Sequence, residues 1–90
     1  SSCAGQSIQD GKKKEVITRI IRRGQLKLLD LNQDDLTFFS FTVSGTSPNR
    51  ILQMIHQMTC QGLALEFLDI RISTGEKVGY VADIEVINVD

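Results

Sequence analysis

Few side chains in this 90-residue chain could carry chemistry, and they are scattered. There is one histidine, His56, and there are two cysteines, Cys3 and Cys60, 57 positions apart. One histidine cannot complete a zinc site without several thiolates beside it. Asp34 and Asp35 are adjacent carboxylates, but they sit in a run of turn formers, where Asp serves the backbone. Asp83 and Glu85 are two apart in an alternating segment and so share a face. With no histidine or third carboxylate near them in sequence, solvent exposure suits them better than acid–base catalysis. Gly45, in Ser44-Gly45-Thr46-Ser47, precedes a helix start that could hold an anion, though any capped helix offers as much. GxGxxG, the Walker loop, GxSxG and HExxH are all absent. The expectation is a domain without enzymatic activity, cofactor or metal, and with no catalytic residues.

The elements that must position these residues form one small domain. Hydrophobic residues make up 41% and charged residues 23%, a globular balance that argues against disorder and fibre. A chain of this size buries only about 60–65% of its unfolded surface, so its core is thin. No uncharged stretch reaches the roughly 20 apolar residues of a membrane span, and the start, Ser1-Ser2-Cys3-Ala4-Gly5, lacks the apolar region of a signal peptide. A chain opening on Ser1 is expected to be a processed or excised form, whose missing N-terminus could have carried targeting or membrane information. Residues 1–9 read as a tail or linker and residues 10–90 as the domain.

The net charge of −1 is segregated: residues 1–27 hold seven cations and two anions, whereas residues 28–90 hold three cations and nine anions. This is a basic segment on an acidic body. A solvated helix face accounts for it most simply; an acidic protein or an anionic membrane surface are the functional readings. Nucleic acid fits less well, because no aromatic residues interleave the cations and the rest of the chain repels phosphate.

From about Asp10 to Arg23, Val16, Ile17, Ile20 and Ile21 mark one face of a helix, with Lys12, Glu15, Arg19, Arg22 and Arg23 opposite. Gly24 is placed to end this helix in the left-handed conformation. A strand over Leu26–Leu31, turn residues 32–35 and a strand over Leu36–Ser44 make a hairpin in which Phe39, Phe41 and Val43 share a face and Phe38, Ser40 and Thr42 share the other. Ser47 and Pro48 open a second helix. Its apolar face is Ile51, Leu52, Ile55 and Met58, with Met54 at the edge, His56 at the margin and Gly62 at the close. A third strand, Leu63–Ser73, changes phase, which a bulge near Phe67 explains. A turn over 74–76 leads to a fourth strand over Lys77–Val89.

The order is helix-strand-strand, twice. The fold class expected is α+β, two helices packed on one face of a four-stranded antiparallel sheet of order 1-2-4-3: a ferredoxin-like arrangement begun one strand late. Cys60 falls on the back of the second helix. It is either bridged to Cys3 in an oxidising compartment or one of two unpaired thiols. On the sheet face away from the helices, Phe38 and Val81 lie among polar residues, and Lys27 and Arg71 are the cations guarding the two edge strands. These four are the candidate interface, and they imply weak symmetric self-association.

The run Phe39–Met58, then Gly62-Leu63-Ala64-Leu65-Glu66-Phe67-Leu68-Asp69-Ile70 and Gly79-Tyr80-Val81-Ala82-Asp83-Ile84-Glu85-Val86, resembles the periplasmic domain of type II secretion protein M and the type IV pilus protein PilO. The likeness spans about residues 11–90 and rests on apolar positions and two glycines, with no catalytic motif. It implies a circularly permuted ferredoxin-like (αββαββ) fold in the periplasmic domain of a bacterial inner-membrane protein, attached through an N-terminal helix outside this sequence. It also implies a structural role: dimerisation, and pairing with a related platform protein (protein L, or PilN). A cysteine pair is not part of the family pattern. The rival readings fit less well. A small-molecule-binding regulatory domain of the ACT kind begins with a strand. An RNA-recognition sheet needs more than Phe38 facing outward. An acylphosphatase-like enzyme needs an Arg in a phosphate loop after the first strand.

With the cations of the first helix facing solvent, the double substitution Arg19→Glu/Arg22→Glu is expected to change stability by no more than about 0.5 kcal/mol. Urea unfolding checks this; a loss several times larger means that face is buried.

Overall fold

The computed structural model describes residues 13–75 and 78–89. The chain runs α1 (Lys13–Arg23), β1 (Lys27–Asp34), β2 (Phe38–Gly45), α2 (Pro48–Cys60), β3 (Leu63–Ser73) and β4 (Gly79–Asn88). The four strands form one antiparallel sheet of order β1-β2-β4-β3. This is an α+β domain of two helices and a four-stranded antiparallel sheet, compatible with a ferredoxin-like fold.

The central pair sets the core. Phe39, Phe41 and Val43 of β2 stand opposite Val86, Ile84 and Ala82 of β4, and all six are at most 2% exposed. They join Ile17 and Ile21 of α1 and Ile51, Met54 and Met58 of α2 in one cluster. Each of these side chains larger than Ala82 contributes roughly 1.5–3 kcal/mol by leaving water.

Local chemistry explains the boundaries that differ from the sequence reading. The first strand continues through Asp34, and the hairpin turns over residues 35–37 instead of 32–35. Asp35 takes a left-handed φ of 55°, and its Oδ1 accepts from the Thr37 amide at 2.6 Å and the Thr37 hydroxyl at 2.8 Å. Those bonds hold its carboxyl below the usual range. Leu36, expected in the strand, is 77% exposed at the tip. On α2 the roles of two residues exchange: Met54 is buried, whereas Leu52 is half exposed. Ser47 caps this helix, accepting from the Asn49 amide at 3.2 Å, with Pro48 following as expected.

Gly24 does not carry the left-handed turn after α1; Gln25 does, with φ 59°. The Gln25 amide donates to Arg22 O and the Leu26 amide to Ile21 O, at 3.0 and 3.1 Å. That pair of bonds is a Schellman closure, and buried Leu26 and Ile21 supply its hydrophobic contact. At the end of α2, by contrast, Gly62 is left-handed as expected, with φ 77°. The cations of α1 are not all outward either. Lys13 is 2% exposed, and its Nζ donates to the carbonyl of Gln61 at 2.6 Å. A cation there complements the C-terminal end of α2. At the other end, Arg50 Nη1 donates to Gln25 Oε1.

A left-handed non-glycine residue costs roughly 1 kcal/mol. Gln25→Gly is therefore expected to raise stability by up to about 1 kcal/mol despite losing the exposed Arg50 bond. A Cβ at Gly24 meets nothing closer than 3.4 Å, so Gly24→Ala should stay within about 0.5 kcal/mol. Denaturant titration of both variants checks the pair; a destabilised Gln25→Gly counts against the assignment.

Candidate functional site: the outer sheet face and its edges

Strand register groups the outward residues into cross-strand rows. One row reads Lys27, Ser44, Val81, Arg71; the next Asp30, Thr42, Asp83, Asp69; then Asn32, Ser40, Glu85, Phe67; and last Asp34, Phe38, Ile87, Ala64. All are exposed or half-buried. Three of the four candidate interface residues, Lys27, Val81 and Arg71, thus share one row. Phe38 lies three rows away, about 20 Å at strand spacing, so the four do not form one patch. Around Phe38 the register instead gathers Ile87 and, one row along, Phe67, which is 47% exposed.

Phe67 owes this position to a bulge. The pairing of β3 with β4 slips between Leu65 and Phe67, leaving Glu66 as the extra residue. Before the bulge Leu63 and Leu65 share the phase of the core; after it Leu68 and Ile70 do. The phase change was visible in the sequence, and placing the extra residue at Glu66 sends Phe67 outward. A second irregularity, at Leu29 between Leu28 and Asp30 of β1, has a shorter signal of the same kind: apolar residues fall at Leu26 and Leu28, then at Leu29 and Leu31, and Leu28 and Leu31, three apart, both pack against the core.

The acidic row is bound together by hydrogen bonds and ion pairs. Thr42 Oγ1 donates to Asp83 Oδ1 at 2.7 Å. Arg71 Nη1 donates to Asp83 Oδ2 at 2.6 Å and to Asp69 Oδ2 at 2.7 Å. Asp69 and Asp83 are direct cross-strand neighbours, an arrangement that repels unless a cation bridges it. Arg71 is thus an ion-paired residue of the sheet surface rather than a free guard of the edge. The Thr42 hydroxyl first, and Arg71 second, hold the Asp83 carboxyl below its ordinary value; the bonds to Asp83 and then to Asp69 raise Arg71. Among the described residues, no group of three or more His, Cys, Asp or Glu could hold a metal.

His56 is exposed, and its Nε2 lies 4.0 Å from Cys60 Sγ. Cys60 is engaged in a disulfide, whereas Cys3 lies outside the described residues. Gly45, which precedes the start of α2 as expected, also borders an open groove of about 470 Å³ between the β1, β2 and β4 ends, which Leu26, Lys27, Thr46 and Tyr80 line as well. A Cβ at Gly45 would run into Leu26 Cδ2, the end of that side chain, so any larger residue there must displace the Leu26 side chain. No described helix is long and apolar enough to cross a membrane.

The chain matches no protein-family model, and no curated protein is significantly similar to it.

Because the Asp83 carboxyl is held down, the stability from its ionisation is present above the unfolded value near about pH 3.9. It is lost as pH falls through the folded value. Thr42→Val removes the largest cause and is expected to move the Asp83 midpoint upward and to weaken the protein's resistance to acid. An NMR titration of the side-chain carboxyl checks this; an unmoved midpoint shows that the hydroxyl is not what holds it.

Proposed function

We propose that this is a non-enzymatic assembly domain acting by protein–protein contact, of the kind found in the inner-membrane platforms of type II secretion or type IV pilus machines. In this reading it is the periplasmic domain of a bacterial inner-membrane protein of the M or PilO type. It has a circularly permuted ferredoxin-like fold, with both helices on the face opposite the rows described above. The fold reading draws support from the single core cluster that both helices share with the inward residues of β2 and β4. The partners are a second copy and a related L- or PilN-like platform protein. Cys3 and Cys60 form a bridge that ties down the tail, in keeping with an oxidising compartment.

One observation carries the functional reading: β3 is a sheet edge 11 residues long whose Leu65, Phe67 and Ile72 are 40%, 47% and 65% exposed. A long edge with exposed apolar side chains is a template for another strand. RNA-type binding on the outer face is disfavoured, since Asp30, Asp69, Asp83 and Glu85 repel phosphate. The groove beside Leu26 and Tyr80 favours the second reading, a small-molecule-binding regulatory domain, because its volume lies in the range of ligand pockets, about 300–1,000 Å³. Its openness to solvent weighs against that reading.

Titration calorimetry of this chain against the periplasmic domain of an L- or PilN-like protein from the same source is expected to show saturable one-to-one binding. Absence of binding up to about millimolar concentration would sink the platform assignment.

A further inference from the structure

The two edges of the sheet are not equivalent. β1 is interrupted at Leu29, which leaves only Asp30–Asp34 in unbroken register beyond the break, and four of those five residues, Asp30, Asn32, Gln33 and Asp34, are polar and exposed; short, polar edges of this kind resist pairing. β3 is interrupted only at Glu66. Beyond that bulge the strand runs without a register shift from Phe67 to Ser73, and its midpoint is Ile70.

We infer that the Phe67–Ser73 edge pairs antiparallel with the same edge of a second copy, across a two-fold axis at Ile70. In that register Asp69 stands opposite Arg71 of the second copy, and Arg71 opposite its Asp69. Leu68 and Ile72 stand opposite each other in the same way, and Ile70 meets itself. At the centre of the pairing both faces of the strand are therefore self-complementary: charge meets opposite charge on the outer face, with Phe67 opposite Ser73 at its ends, and apolar meets apolar on the other. An axis one residue away on either side sets Asp69 against Asp69 or Arg71 against Arg71, which repel. Both carboxylate contacts of Arg71 use Nη1, and a guanidinium carries five N–H donors, so a third carboxylate can be received. The pairing covers Ile72, 65% exposed in the single chain, and joins two four-stranded sheets into one.

An isologous contact of this kind closes after two copies. Seven residues a side fall short of the roughly 20–30 of a standard interface, which places the affinity in the micromolar range or weaker. The pairing rests on the assembly reading above and names the strand and register by which the domain meets its own kind.

Sedimentation equilibrium of the 90-residue chain up to about millimolar concentration tests it. The unaltered chain is expected to reach a dimer. Ile72→Lys, at an exposed position, is expected to weaken the dimer about tenfold or more. Asp69→Arg and Arg71→Asp are each expected to weaken it as well, because each places like charges opposite each other. An equimolar mixture of these two variants is expected to recover dimer, since each then meets its opposite. Thermal melts establish that each variant is folded; should Ile72→Lys fail to fold, the mixed charge variants decide alone. A dimer indifferent to these changes, a mixture that does not recover, or an unaltered chain that stays monomeric overturns the pairing. One-to-one binding to an L- or PilN-like domain by a chain that stays monomeric would overturn the edge register while leaving the assembly reading in place.

Discussion

The one-sided burial of the central strand pair is the constraint from which the rest follows. Phe39, Phe41 and Val43 stand against Val86, Ile84 and Ala82, and the pleat sends each neighbouring residue to the other side. Once those six are in the core, the polar residues between them must share the opposite face. Thr42 and Asp83 are then cross-strand partners by necessity, and so are Ser40 and Glu85. A slip of one residue in β4 would bury Asp83 and Glu85, and a slip in β2 would expose Phe39 and Phe41.

The helices add the other half of the core, but their termini hold them in place. The buried Lys13 ammonium reaches the Gln61 carbonyl, and Arg50 reaches Gln25 just past the end of α1. Each end of the α1 segment is thus bonded to the opposite end of α2. Buried Lys13 is tolerable because its charge is hydrogen-bonded and lies where the backbone dipoles of α2 present their negative end. The left-handed strain at Gln25 persists because the two closing bonds and the Leu26–Ile21 contact determine that turn from both sides.

The edges of the sheet are where the thin core runs out. The bulge at Glu66 lets β3 keep Leu63 and Leu65, then Leu68 and Ile70, on the core side. The cost is Phe67, which is turned to the outer face. The same bulge divides the edge into a short irregular half and a straight half. Asp69 and Arg71 lie on that straight half, with Asp83 beside them on β4, so the charge pattern of the outer face and the geometry of the edge have a common origin.

Much of this was determined by the sequence alone. The period-two runs over 38–44 and 78–87 dictate two half-buried strands. The isoleucine spacing in α1 and the Ser47-Pro48 start of α2 dictate two helices, and the phase change around Phe67 dictates a bulge. These signals are local, carried by residues a few positions apart, and so survive without knowledge of neighbours. What only the tertiary structure decided involves partners far apart in the chain. Lys13 is buried because Gln61, 48 positions away, accepts its proton donors. Gln25 takes the left-handed turn because Leu26 has a buried site to enter. Asp83 is a bonded member of the surface because Thr42 and Arg71 converge on it from two other strands. Side-chain type and spacing specify each element, but long-range register decides which charges meet, and at the edge of β3 those meetings define the candidate interface.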